Sequence, residues 1–238
     1  MSSGTSTDTW HFFARPWLAA LALAWTVGVI DSYSFAEYGV FTSNQAGNLV
    51  VLGNELPQDP QRATLAGLSL LGAVAGVAAA TVLQRLFAKG PWLKVAVPLV
   101  FMLMLMVVGW FLRHVVGSPP ETLVPVTSAA LAGLATAAYR TPAIQGWITA
   151  NTGAVLTTVH TAFETREERR ASAKPVQPAI MITVGFLSGA LLWGSGVFGT
   201  TDPTPVALIP TIIALVLAVV NARRSGDRTR SGRSSLGA

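Results

Sequence analysis

Apolar residues dominate six stretches of the chain, 16–36, 64–86, 93–112, 123–140, 178–198 and 204–222, and polar, glycine- or proline-bearing segments separate them. A hydrocarbon core of about 30 Å takes roughly 20 helical residues at about 1.5 Å rise. The pattern therefore predicts an all-α, polytopic bundle of six transmembrane helices, with the fourth stretch the most diluted, by Pro125, Thr127, Ser128 and Thr136. The first stretch follows Arg15 like a secretory signal, but it is longer than a signal core and five more apolar stretches come after it.

Two polar phrases interrupt this pattern. Phe41-Thr42-Ser43-Asn44-Gln45-Ala46-Gly47-Asn48 lies between the first and second stretches, and Trp147-Ile148-Thr149-Ala150-Asn151-Thr152-Gly153-Ala154 lies between the fourth and fifth. Tyr33 and Tyr139, and Gly47 and Gly153, keep the same offset of 106 residues. Amide and hydroxyl side chains are costly in hydrocarbon unless protein or water satisfies them, so two such phrases suggest a built site.

Each repeat is then three spans plus one phrase, 16–112 and 123–222. An odd number of crossings turns the second repeat upside down relative to the first, with the phrases as short re-entrant or interfacial segments. If each phrase were a full crossing, the chain would have eight spans and repeats of one orientation. Charge bears on the choice. With the N-terminus inside, six spans put 14 of the 16 basic residues inside and leave only Arg62 and Arg113 outside, whereas eight spans give 12 inside and 4 outside. The positive-inside rule favours six spans with both termini cytoplasmic: a segment 1–15, a membrane domain 16–222, and a basic tail 223–238 read as solvated and disordered.

A composition of 51% hydrophobic and 11% charged residues agrees with a membrane protein. The net charge of +5 marks topology, so nucleic acid is not an expected partner; the lipid bilayer is. With no cysteine, disulfides and thiol chemistry are excluded. Glycine rows at Gly67, Gly72 and Gly76 and at Gly185, Gly189 and Gly194 predict close helix packing, and put the second and fifth spans near the centre.

Asp31 is the acidic residue set well inside an apolar stretch, and such groups face a bundle interior or wet cavity. It suits proton coupling if the helix continues past it; if the helix breaks at Asp31-Ser32-Tyr33-Ser34, it is a cap or a wetted interfacial group. Ser43, Asn44, Gln45, Gly47 and Asn48 read as the cap of a short helix starting near Gly47 and running through Leu52, whose N-terminus offers N–H groups to an anion or polar solute; Thr149, Asn151, Thr152 and Gly153 read as its counterpart. The competing reading is a pair of capped interfacial turns without a ligand. His160 and Glu164 lack the further ligands of a metal site, and no nucleophile, phosphate-loop or metalloprotease motif occurs. No cofactor, metal or catalytic residue is expected. An intramembrane enzyme built on Ser43 or Thr149 with His160 ranks last.

Gly28-Val29-Ile30-Asp31-Ser32-Tyr33-Ser34-Phe35, then Gly39-Val40-Phe41 and Asn44-Gln45-Ala46-Gly47-Asn48-Leu49-Val50-Val51-Leu52-Gly53, resembles the YoaK-like family of bacterial membrane proteins of unknown function. Its pattern is Gly-x-x-Asp-Ala-x-x-Phe, then Asn-Met-Thr-Gly-Asn, so Ser32 and Gln45-Ala46 depart from it, while Thr152-Gly153 matches its second-half phrase. The resemblance implies a six-span inner-membrane protein and no assigned activity. The leading expectation is a small secondary transporter or permease for a small solute, with a homodimer as the assembly; the alternative is a membrane scaffold that recruits a partner through its basic loop and tail.

Overall fold

The structure, a computed structural model, describes residues 16–88, 93–139, 176–199 and 201–234. In chain order the helices are α1 (Pro16–Tyr38), α2 (Gln45–Glu55), α3 (Pro60–Phe87), α4 (Leu93–Phe111) with a π turn (Leu112–Val116), α5 (Pro120–Tyr139), α6 (Val176–Gly194) and α7 (Thr204–Ser234). No strand occurs among the described residues. Four segments are long and apolar enough to cross a membrane: Trp17–Tyr38, Pro60–Phe87, Leu93–Val116 and Thr204–Asn221. α6 adds a shorter apolar stretch, Ile180–Gly194. α5 falls outside that set, as its prolines and hydroxyls foretold. α7 runs as helix from Thr204 through Ser234. Extending an existing helix avoids the cost of nucleation, and arginine is a good helix former.

The helix ends follow local chemistry. α1 stops where Gly39 adopts a left-handed φ of 70° and its N–H donates to the Phe35 carbonyl at 3.0 Å. α3 begins with Pro60 after Asp59, whose carboxylate accepts from the Arg62 N–H at 3.0 Å. The π turn ends at Gly117, φ 69°. Asp31 sits within unbroken helix and is 2% exposed, which overturns the reading that α1 breaks at residues 31–34.

α1 lies at the centre, packed on α6 and α7, while α5 packs on α3 and α4, and α4 also meets α7. Leu23 and Val27 of α1, Leu99 and Met102 of α4, Leu131 and Leu134 of α5 and Ile182 of α6 share the core. Where lipid is as apolar as the protein, close van der Waals contact holds helices together. The glycines supply it. A Cβ at Gly72 or Gly76 would run into the backbone of Pro125 or Ala129 of α5, and one at Gly185 or Gly189 into that of Leu21 or Trp25 of α1. Glycine rows therefore mark contact stripes rather than central helices: the far side of α3, with Leu71 and Val74, is exposed, and α1 and α5 hold the centre expected for the second and fifth spans. A threonine junction joins α1 to α7, with Thr26 Oγ1 3.3 Å from Thr211 Oγ1.

Candidate functional site

After Gly39 the chain turns back along α1. Thr42 and Ser43 arrive beside Asp31, seven residues before the end of α1 and so roughly 10 Å below it. The Asp31 carboxylate gathers four donors. Its Oδ1 accepts from the Thr42 N–H (2.9 Å), the Ser43 N–H (2.8 Å) and Thr42 Oγ1 (3.0 Å), and its Oδ2 accepts from Ser43 Oγ. These backbone N–H groups lie just ahead of α2 and have no helical partner, so the buried acid satisfies donors that hydrocarbon would leave bare.

Asn44 then caps α2, its Oδ1 accepting from the Gly47 N–H at 3.1 Å. Gly47 has an ordinary helical backbone; what it supplies is room, because a Cβ there would sit 2.9 Å from the Phe41 ring and 3.0 Å from the Asn44 amide nitrogen. Asn48 is fully buried and clamps Phe41 from both ends: the Phe41 N–H donates to Oδ1 at 2.9 Å, and Nδ2 donates to the Phe41 carbonyl at 2.6 Å. Gln45 Nε2 donates to the Thr42 carbonyl at 2.9 Å.

α3 and α5 complete the network. Ser69 Oγ donates to the Phe41 carbonyl at 2.8 Å and accepts from Asn48 Nδ2 at 2.8 Å. A hydroxyl carries one proton, so the 2.8 Å bond between Ser69 and Ser128 has Ser128 as donor. The network thus crosses from α1 through the hairpin to α3 and α5. Arg62 closes its open end, Nε donating to the Gly39 carbonyl (2.9 Å) and Nη1 to Glu55 (3.0 Å). One side chain therefore holds both ends of the segment 39–55. The two ends of the segment lie together at one end of the bundle, which is the geometry of a hairpin.

Two cavities flank the hairpin. One, about 50 Å³, lies among the ends of α1 and α4 and the start of α5, with Tyr33, Ser34, Tyr38, Thr42 and Arg113 on its wall. The other, about 140 Å³, lies between the hairpin, α3 and α5, and is lined by Thr42, Ser43, Gln45, Val77, Ser128 and Ala132. Thr42 belongs to both. A third cavity, about 530 Å³, between α1, α6 and α7, is walled by apolar side chains such as Leu18, Trp25, Phe198 and Ile213.

Of the residues picked out from sequence, Asp31, Ser43, Asn44, Gln45, Gly47 and Asn48 come together here. Thr149, Asn151, Thr152 and Gly153 lie outside the described residues, as do His160 and Glu164. The amides turn mainly toward the hairpin's own backbone, and only Ser43 and Gln45 of the set line a cavity. Ser69 drew no notice in the sequence, Ser128 stood out only as one of the residues diluting the fourth stretch, and Arg62 and Arg113 only as charges. A signal existed for the last two, the only basic residues assigned to the outside. Among the described residues no cluster of three or more metal-ligating side chains occurs.

The family description "Protein of unknown function (DUF1275)" matches residues 19–220, which takes in every element of this site. The chain belongs to the DUF1275 family. No curated protein and no solved structure matches it. Membership in DUF1275 brings no activity with it, so the functional reading rests on geometry.

Proposed function

We propose that this DUF1275 protein is a small-solute permease of the bacterial cell membrane, a YoaK-like chain with six spans, both termini cytoplasmic, and α2 as a re-entrant piece. The observation that carries the reading is Thr42: it lies on the wall of two cavities and is tied to the buried Asp31 carboxylate behind it. A polar partition between two cavities inside an apolar bundle is what an interrupted pathway requires, and irregular backbone at membrane depth belongs where it is enclosed by protein or lines a cavity. Asp31 is the group through which proton coupling would act, since breaking its bonds to Thr42 and Ser43 frees the partition.

The packing supports inverted repeats. Gly185 and Gly189 of α6 rest on Leu21 and Trp25 of α1 as Gly72 and Gly76 of α3 rest on Pro125 and Ala129 of α5. In each case the second span of one repeat meets the first span of the other, an exchange that a two-fold axis in the membrane plane would produce. Asn151, Thr152 and Gly153, after Thr149, would then form the hairpin's counterpart. Two copies as a homodimer is the assembly this reading takes.

The test is flux. Purified protein in proteoliposomes should move protons or a small solute from a broad panel, and Asp31→Asn should alter the rate or its dependence on a proton gradient. No flux of any solute, together with an unchanged Asp31→Asn phenotype in cells, sinks the permease reading. The scaffold alternative draws on the helical continuation of α7 through basic residues to Ser234. Deleting 225–238 should abolish a recruiter's function and leave a permease working.

A further inference from the structure

The 50 Å³ cavity has a chemistry that the network around Asp31 does not use. Ser34 is 1% exposed and lines this cavity, and its Oγ is a buried polar side-chain atom without a hydrogen-bond partner. Burying a hydroxyl without a bond is costly, so the site is built for something that supplies an acceptor. Arg113 stands on the same wall. Its guanidinium lies over the Tyr33 ring, 4.9 Å from the centroid, and it forms no ion pair with a carboxylate among the described residues. It is carried by the π turn that ends α4, a rare geometry found often at functional sites.

The tyrosines add a further donor. Tyr33 and Tyr38 share one hydrogen bond of 3.1 Å between hydroxyls, which uses one of their two protons and leaves the other to donate. Thr42 and Thr127 send their hydroxyl protons elsewhere, to Asp31 and to the Leu123 carbonyl. The nearby Asp202 carboxylate is engaged by His114 at 2.7 Å and by the Thr204 N–H at 2.9 Å, and among the described residues no carboxylate lines the cavity. What remains is a fixed positive charge, an unpartnered serine hydroxyl and one spare tyrosine O–H proton around a space that holds only a few atoms.

We propose that this cavity is a binding site for a small monovalent anion, of the size of bromide or formate, held by Arg113, Ser34 and the Tyr33–Tyr38 pair. As the entrance of a pathway the site rests on the permease reading, but its occupancy does not. The two are tested apart. The purified full-length chain in detergent is titrated with sodium bromide and sodium formate at ionic strength held constant with sodium gluconate, whose anion is too large for the space. Binding is followed by calorimetry and by the midpoint of thermal unfolding.

The expected result is saturable binding with a midpoint that rises and levels off, an affinity loss of about tenfold or more in Arg113→Gln, and a several-fold loss in Ser34→Ala. Arg113→Lys, which keeps the charge but not the fork, should fall between wild type and Arg113→Gln. Should Arg113→Gln fail to fold, Ser34→Ala and Arg113→Lys carry the test. A response that grows linearly, is matched by gluconate, or is the same in these variants as in wild type overturns the site. Saturable binding that depends on Ser34 and Arg113 without any flux in proteoliposomes leaves the site standing and removes the permease reading.

Discussion

Asp31 is worth more as an acceptor than as a charge in the resting hairpin. Replacing it by alanine leaves two backbone N–H groups and two hydroxyls to find new partners inside an apolar bundle, each unsatisfied donor costing about 1–3 kcal/mol. Asp31→Asn keeps one carbonyl oxygen for the three bonds to Oδ1, and Ser43 Oγ can accept from the new amide. Asp31→Ala should therefore lower the unfolding midpoint in detergent far more than Asp31→Asn; equal midpoints would contradict the network. The Phe41 clamp gives a second expectation. Asn48→Ala and Ser69→Ala remove bonds to the same carbonyl, so their effects should not add, and a double-mutant cycle should show a coupling of about 0.5–3 kcal/mol. Much of this was legible in the sequence, because a polar phrase beside an intramembrane acid has few ways to be satisfied. The roles of Ser69 and Ser128 were not, since a hydroxyl in an apolar helix looks the same whether it bonds its own turn or crosses to a neighbour.

At the scale of elements, glycine placement makes a sharp comparison. Gly76→Val and Gly189→Val drive a branched side chain into the backbone of Ala129 or Trp25 and should each cost about 1–3 kcal/mol or more, read as lower midpoints. Gly67 has open space at its Cβ position, so Gly67→Ala should hold or raise stability through better helix propensity. A neutral Gly76→Val would mean that α3 and α5 do not pack as described. The rows were visible in the sequence, but which glycines touch a neighbour was not, because a spacing gives a stripe and not its partner. The same gap moved the centre of the bundle from the glycine-rich helices to the helices they press on. α2 was anticipated as a short capped helix starting near Gly47 and running through Leu52; it starts two residues earlier, at Gln45 after the Asn44 cap, and runs on to Glu55. The positive φ at Gly39, which aims the chain back into the bundle, had no signal beyond the glycine itself.

For the whole molecule, the Arg62 clasp brings both ends of the hairpin to one end of the bundle, and sidedness follows as an expectation. Single cysteines at Glu37 and Asn54, both exposed and in a chain with no cysteine of its own, should react with a membrane-impermeant reagent from one side. A cysteine at Arg85, at the other end of α3, should react from the opposite side. Labelling of Glu37 and Asn54 from opposite sides would make the hairpin a crossing and undo the account of the partition. Charge counting sets Arg62 and Arg113 apart from the other basic residues, and both are held at that end of the bundle by hydrogen bonding or ring stacking. The pairing of spans was beyond such counting, which reads ends and not neighbours.

The central place of α1 has a consequence for how the protein is made. Among the described helices α1 is made first, and its chief neighbours there, α6 and α7, begin at Val176 and Thr204. Its burial therefore waits for contacts separated by most of the chain, and contacts of that separation form slowly. Asp31, by contrast, finds all of its donors within 12 residues, as soon as Thr42 and Ser43 have emerged. The costly acid is thus sheltered early by its own neighbourhood, while the helix around it stays open to lipid until α6 and α7 arrive.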